Sequence, residues 1–158
     1  MAVEILTEVG VHEVAAWQSR RSIVKWDAKA AKALAKWQSV ANEAAKQSRR
    51  LWTPVVHPEV VTARTLSSHL REAGGVVLVA HEEATMSLSQ VSLPATGPVT
   101  VVIGPEGGID PEELAELDAL GSIRVSLGPH VLRASTAGAV ALTQLQLLVQ
   151  QAEEEPDE

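Results

Sequence analysis

The chain lacks residue types whose absence limits what it can do. Its 158 residues include no Cys, Phe or Tyr, and Trp occurs four times. Without Cys there is no disulfide, no thiolate metal site and no cysteine nucleophile. Apolar residues still make up 46% of the chain, so we expect one domain with an aliphatic core.

Long apolar runs are also missing. No stretch is long enough to cross a bilayer, and the start of the chain shows no signal-peptide pattern. The five His residues show no spacing typical of metal ligands. We therefore expect a soluble, cytoplasmic protein that uses neither a membrane nor a metal ion.

Basic residues are scarce in the second half of the chain. Residues 1–75 carry 11 basic and 7 acidic side chains, whereas residues 76–158 carry 2 basic and 13 acidic ones. The net charge is −7, yet nine of the 13 basic residues lie between Arg20 and Arg50. An acidic protein with this asymmetry can still present a local basic surface.

Short apolar runs alternate with helical patterns along the chain. In chain order they predict helix 3–9, strand 11–18, helix 28–48, strand 53–56, helix 62–73, strand 76–80, strand 98–103, a helix from 111 to near 121, strand 122–127 and helix 134–151. This order predicts an α/β fold with a mostly parallel sheet flanked by helices. The polar residues 84–97 are expected to form an exposed loop. Residues 1–151 are predicted to form the domain, and 152–158 an acidic disordered tail.

Two of the predicted strands end in loops that contain glycine and proline. Gly104-Pro-Glu-Gly-Gly108 follows one strand, and Gly128-Pro-His130 follows another. Ligands of open α/β sheets bind beyond the carboxyl ends of the strands, where such loops lie side by side. The loops therefore predict a site for a small planar or phosphorylated ligand. Neither a dinucleotide fingerprint nor a phosphate-binding P-loop is present.

The helix after the first loop has a compact start signal. Asp110 is suited to cap it, and Pro111 fits the first helical position. Glu113 is expected to return a bond to the cap backbone. These acids thus have a structural explanation, and we assign them no chemistry.

Both loops carry a family resemblance. The motifs Ile103-Gly-Pro-Glu-Gly-Gly-Ile109 and Leu127-Gly-Pro-His-Val-Leu-Arg-Ala-Ser-Thr-Ala137 closely resemble the two signature loops of the 16S rRNA uridine-N3 methyltransferases, a family of the SPOUT superfamily. Thr7–Val11 and Asn42–Arg50 resemble its upstream motifs. The resemblance implies S-adenosylmethionine as cofactor, a deep trefoil knot near the carboxyl terminus, a homodimer, and 16S rRNA or the small ribosomal subunit as partner. Full-length members carry an additional N-terminal RNA-binding domain, which we expect to be absent here.

The resemblance also implies which residues bind the cofactor. Its adenine would lie in a pocket made largely of main chain, with Leu and Ile side chains covering its faces. The matching positions are Leu78, His81, Ile103, Gly104, Gly107, Leu127, Gly128, Leu132 and Thr136. For Thr136, a role in starting the last helix is an alternative.

Three residues are candidates for the chemistry. Arg133 would stabilise negative charge on the uracil ring, with a structural salt bridge or a phosphate contact as alternatives. His130 would accept the N3 proton, although relatives more often have Arg there. Glu106 either faces the substrate or only enters the following helix. Ser135 also departs from the family, in which Glu is common at that position.

Arg20, Arg21, Arg49 and Arg50 are candidates for RNA phosphate contact, with a solvated surface as the alternative.

Two other functions stay open. One is a SPOUT methyltransferase of other specificity, such as a tRNA ribose methyltransferase, although that group typically has Asn and Ser where this chain has Leu132–Ala134. The other is a cofactor-binding domain that is inactive on RNA by itself. We expect this chain to bind cofactor but to methylate ribosomal RNA poorly when alone.

Overall fold

Helices and short parallel strands alternate in the structure, a computed structural model that describes residues 2–154. The elements are α1 Ala2–Val9, β1 Glu13–Val14, α2 Ala30–Gln47, β2 Val55–Val56, α3 Ala63–Ala73, β3 Val76–Ala80, β4 Val99–Ile103, α4 Pro111–Asp118, β5 Ile123–Val125 and α5 Ala134–Glu154. The predicted α/β fold with parallel strands and flanking helices is confirmed. The trefoil knot stays a prediction.

The strands form two parallel sheets. One has the order β4-β3-β5, and its register places Ala80 beside both Ile103 and Val125. The carboxyl ends of its three strands therefore lie at one edge. The other sheet pairs β1 with β2 over two residues each, so the strands predicted at 11–18 and 53–56 are too long. A single bridge between Trp17 and Val61 continues that pairing.

The three-stranded sheet is covered on both faces, which explains its continuous Val and Leu runs. On one face, Val79 and Val102 pack with Leu117 of α4. On the other face, Leu78 and Val125 pack with residues of α5. Side chains alternate between the two faces along a strand, so neighbouring residues 78 and 79 belong to different clusters.

The segment between β3 and β4 is more ordered than its polar sequence predicts. Leu88 and Val91 are buried in the cluster under α5, and residues 88–90 form a short 3-10 helix. The Leu88 N–H donates to Ser126 O at 3.0 Å, and the Ser126 N–H donates to Met86 O at 2.8 Å. The prediction of an exposed loop at 84–97 is therefore wrong for these residues, because two apolar side chains anchor the segment beside β5.

The start of α4 agrees with the prediction from the sequence except at Glu113. Asp110 accepts a hydrogen bond from the Glu112 N–H, and Pro111 begins the helix. Glu113 does not return a bond to the cap. Instead its carboxylate is buried and accepts from Ser19 Oγ at 3.0 Å and from the Arg20 N–H at 2.9 Å.

The last helix is longer than predicted. It continues to Glu154, so the first three residues of the predicted disordered tail are helical; residues 155–158 lie outside the described part. Ala137, Ala141 and Leu145 form its buried side. No helix in the described part of the chain combines the length and apolarity that a membrane crossing requires.

Candidate functional site

A cavity of about 190 Å³ lies where the carboxyl ends of β3, β4 and β5 meet. Its walls come from the segments that follow these three strands and from the first turn of α5. The lining residues are Ala80, His81, Glu82, Ile103, Gly104, Pro105, Glu106, Gly108, Ile109, Val125, Ser126, Leu127, Gly128, Pro129, His130, Val131, Leu132, Ala134 and Ala137. The two glycine-proline loops thus come together as the sequence predicts.

The first loop is a tight turn that rests on Ile109. The Gly108 N–H donates to Pro105 O at 2.9 Å, and Gly108 has a φ of +80°, which glycine adopts readily. A Cβ added to Gly104 would lie 2.6 Å from Ile109 Cγ1. Because Ile109 is buried, Gly104 is required for this loop to pack.

The second loop has free space beside the Cα atom of Gly128. Its φ is +155°, and an added Cβ would meet no atom within 4 Å. Ser126 stabilises the turn, since its hydroxyl donates to Gly128 O at 3.1 Å. Glycine is needed here for its backbone conformation, and Gly128 is among the residues that line the cavity.

Two side chains that sequence reasoning missed hold the loops in place. Trp17 Nε1 donates to Ile103 O at 2.9 Å, at the start of the first loop. Gln144 Nε2 donates to Leu127 O at 3.0 Å, at the start of the second loop. Gln144 Oε1 is buried without a partner. Helical spacing places Gln144 beside the apolar residues Ala137, Ala141 and Leu145 of α5, and this was the available signal for its role.

Six of the nine predicted cofactor residues line the cavity: His81, Ile103, Gly104, Leu127, Gly128 and Leu132. Three others do not. Leu78 is fully buried in the core, because its position in β3 directs it toward α5. Gly107 lies on the outer side of the first turn, against Arg21. Thr136 is exposed on the first turn of α5.

Two of the three predicted catalytic residues line the cavity. Glu106 and His130 belong to the lining and are exposed. Arg133 is outside the lining, although its neighbours Leu132 and Ala134 belong to it. The Arg133 carbonyl accepts from the Thr136 and Ala137 N–H groups, which fixes its backbone at the start of α5.

A hydrogen bond to His81 fixes the tautomer of its neutral imidazole. The Glu83 N–H donates to His81 Nδ1 at 3.2 Å, so the neutral imidazole carries its hydrogen on Nε2. His81 is therefore a hydrogen-bond donor in the cavity. Within residues 2–154, no three His, Asp or Glu side chains are grouped so as to hold a metal ion.

The predicted RNA-binding arginines differ in what they already contact. Arg20 pairs with Glu112 and, at 3.6 Å, with Asp110. The hydrogen bond that its guanidinium donates to the Glu112 carboxylate, together with the negative charge of that carboxylate, raises the pKa of Arg20 above its usual value. Arg50 donates to Thr7 O at 3.0 Å and to Val11 O at 2.7 Å, so its guanidinium ties α2 to α1.

The other two arginines are exposed. Arg21 Nη1 donates to Gly107 O at 3.3 Å, which places this guanidinium on the first loop. Arg49 has a φ of +55° just after α2 and is absent from the cavity lining. Arg21 is thus the arginine whose guanidinium contacts the first loop.

Comparison with known proteins gives the family. Residues 1–146 match the family model of an RNA methyltransferase domain. The Ribosomal RNA small subunit methyltransferase E of Mycobacterium bovis is 45% identical over 146 residues, which are 90% of this chain and 55% of that protein. The chain thus spans about half the length of the curated relatives that it matches.

Solved structures agree with the sequence comparison. The Ribosomal RNA small subunit methyltransferase E of Neisseria gonorrhoeae bound to S-adenosyl methionine has a TM-score of 0.83 and 29% identity, over 93% of this chain and 59% of that chain. An A. aeolicus tRNA modifying enzyme has a TM-score of 0.56 at 14% identity, over 96% of this chain and 70% of that chain, and this likeness shows the fold alone. By its sequence and its fold, the chain belongs to the RNA methyltransferase domain family.

Proposed function

We propose that this chain is the catalytic domain of an S-adenosylmethionine-dependent methyltransferase that acts on N3 of a uridine in 16S rRNA. The main support is the cavity at the carboxyl edge of β3, β4 and β5, together with the likeness to the N. gonorrhoeae enzyme that binds this cofactor. The bacterial relatives named as small subunit rRNA methyltransferases support the substrate.

The cavity fits an adenosine-like ligand. Ile103, Leu127 and Leu132 provide apolar walls, and Gly104 and Gly128 also line the cavity. Trp17 and Gln144 already bond the carbonyls of residues 103 and 127, so the loops are held in place before a ligand arrives. The first turn of α5 also faces the cavity, and the partial positive charge of a helix start favours a carboxylate such as that of the cofactor's methionine part.

The cavity volume indicates where the substrate approaches. At about 190 Å³ it is smaller than the ~300 Å³ at which drug-sized ligand sites begin. We infer that the cavity encloses only part of the cofactor. The remainder, including the methyl group, would stay open toward the mouth where Glu106 and His130 lie. A nucleotide base can reach that position from outside.

The chemistry needs alignment and removal of one proton. S-adenosylmethionine supplies an electrophilic methyl group on a sulfonium sulfur. His130 would accept the proton that leaves N3 when the methyl group is transferred, because a neutral imidazole nitrogen can act as a general base. Arg133 stabilises the negative charge that develops on the uracil oxygens. Glu106 orients the base at the mouth of the cavity.

We also propose that the protein acts as a homodimer through α5. Leu147 and Val149 of this helix are 53% and 46% exposed. A shallow groove lined by Ala139, Val140, Thr143 and Gln144 lies on the same helix. Sedimentation velocity is expected to give twice the monomer mass, and a monomer at micromolar concentration would contradict this part of the proposal.

The experiment that tests the function uses the whole chain in excess over 16S rRNA and 30S subunits, with S-adenosylmethionine labelled on its methyl group. Calorimetry first measures cofactor binding, and nucleoside mass spectrometry then identifies the product. We expect saturable binding and slow formation of 3-methyluridine. No binding would overturn the proposal. Binding without transfer would show a cofactor-binding domain that is inactive alone, and 2′-O-methylation would show a ribose methyltransferase.

Replacing Gln144 tests whether the second loop is held from α5. Gln144→Leu is expected to weaken cofactor binding about fivefold, because the bond to Leu127 O contributes about 1 kcal/mol. Gln146→Leu is the matched control, since Gln146 Nε2 bonds Val9 O, remote from the cavity. Calorimetry on both variants makes the comparison. Equal affinities would show that the second loop does not depend on Gln144.

A further inference from the structure

The loop between β1 and α2 presents an apolar tip to solvent. Ile23 is 90% exposed and Val24 is 75% exposed, although both are β-branched residues that usually pack in a core. The exposed cations Arg21 and Lys25 lie on either side of them. We call residues 21–25 the tip loop. Nothing in the packing of the described chain accounts for its apolar residues.

The base of the tip loop is fixed by several hydrogen bonds. The buried carboxylate of Glu113 accepts from Ser19 Oγ and from the Arg20 N–H. On the other side, the Trp26 N–H donates to Gln18 Oε1 at 2.7 Å. Lys25 Nζ also donates to Arg20 O at 3.3 Å. The exposed apolar side chains are therefore carried by an anchored loop.

The tip loop lies directly on the first loop, residues 104–108. A Cβ added to Gly107 would be 3.4 Å from Arg21 O and 3.5 Å from Arg21 Cβ, which is van der Waals contact. The Arg21 guanidinium donates to Gly107 O. Gly108, the next residue, lines the cavity. Ile23 and Val24 are thus presented beside the place where the substrate base would enter.

We propose that the tip loop is an RNA wedge, in which Ile23 and Val24 insert against the bases next to the target uridine while Arg21 and Lys25 contact the flanking phosphates. This proposal rests on the proposed function. N3 lies on the pairing edge of uracil, so a paired or stacked uridine must leave its neighbours before the reaction. Apolar side chains inserted at a base step stabilise the unstacked state.

Charge favours RNA as the occupant of this surface. The chain has a net charge of −7, yet the tip loop carries two cations and no acid. Arg20, at the base of the loop, is already offset by Asp110 and Glu112. Arg21 and Lys25 bond only main-chain carbonyls, so within the described residues no acidic side chain offsets their charges. A nucleic acid offers both phosphates for these cations and base faces for the apolar pair.

The test compares the double variant Ile23→Ser/Val24→Ser with Leu51→Ser, each on the whole chain. Leu51 is 93% exposed and is absent from the cavity lining, so it is a matched apolar control. The probe is an RNA hairpin with 2-aminopurine stacked beside a uridine in its stem; a single strand of the same sequence is the reference. The fluorescence of 2-aminopurine rises when the base unstacks. Calorimetry with S-adenosylmethionine is run on every variant.

We expect the unmodified chain and Leu51→Ser to bind the hairpin equally and to raise its fluorescence. The double variant is expected to bind the hairpin about tenfold more weakly with little rise in fluorescence, because it no longer stabilises the unstacked step. Its affinity for the single strand and for the cofactor is expected to stay within about twofold, and its dependence on salt is expected to stay the same because no charge is changed.

Other outcomes separate the two proposals. Equal hairpin binding and fluorescence for the double variant and the unmodified chain would overturn the wedge. Cofactor binding without any RNA binding would overturn the wedge and leave the cofactor site intact. Unstacking of the probe without cofactor binding would overturn the proposed function and support the wedge. A smaller sedimentation coefficient for the double variant would overturn the wedge by showing that the tip contacts another protein chain.

Discussion

Gly128→Leu is expected to weaken S-adenosylmethionine binding about thirtyfold. A side chain at residue 128 would project into open space, since an added Cβ meets no atom within 4 Å, and that space adjoins the cavity. Filling part of a ligand site costs about 2 kcal/mol, which corresponds to this change in affinity. Calorimetric titration at a temperature well below the unfolding transition measures it.

The control for this variant is Gly121→Leu. Gly121 also has a positive φ, +77°, and an added Cβ there also meets no atom within 4 Å, but it is absent from the cavity lining. Both substitutions are expected to cost about 1–2 kcal/mol of unfolding free energy, because L-residues rarely adopt these conformations. Only Gly128→Leu is expected to lose cofactor affinity. Equal affinities in the two variants would place the cofactor elsewhere.

Leu78→Ala is expected to lower the free energy of unfolding by about 3 kcal/mol, the typical cost of a cavity left by a fully buried leucine. Leu78 is 0% exposed and packs in the cluster beneath α5. The resemblance to the methyltransferase family implied instead that it binds cofactor. Urea unfolding measures the stability, and calorimetry on the folded variant measures the cofactor affinity, which we expect to change less than threefold.

Leu51→Ala provides the matched comparison for Leu78→Ala. With its side chain 93% exposed, its replacement is expected to change the unfolding free energy by no more than about 0.5 kcal/mol. If Leu78→Ala kept its stability but lost cofactor binding, residue 78 would be a ligand contact after all. The pair of measurements therefore separates a core residue from a binding residue.

The sequence predicted the elements that depend on local patterns. The apolar runs at β3 and β4 and the helix start at Asp110 agree with the structure, because burial on both faces and helix capping leave clear signals within a few residues. The strands β1 and β2 were predicted too long. Their apolar residues pack with helices, and only two residues of each continue the pairing.

Long-range contacts were the part of the site that the sequence did not predict. Glu113 fits a capping box by its spacing, yet it bonds Ser19 and Arg20, which are more than 90 residues away in the chain. Residue types and spacing carry no information about such partners. The end of β4 at Ile103 was predicted correctly, and β5 ends at Val125, two residues before the predicted Leu127. The donors that hold the carbonyls of residues 103 and 127, Trp17 and Gln144, required the fold.

The hydrogen bond from Trp17 to Ile103 also provides an optical reporter. Because the chain has no Tyr, its near-ultraviolet emission comes entirely from four indoles. Trp26 and Trp37 contact each other edge to face, and Trp52 is 54% exposed. Replacing these three with Phe would leave a single fluorophore whose ring nitrogen is bonded to the wall of the cavity. The emission wavelength and lifetime of that indole would then report a change in this hydrogen bond when a ligand binds, without any label.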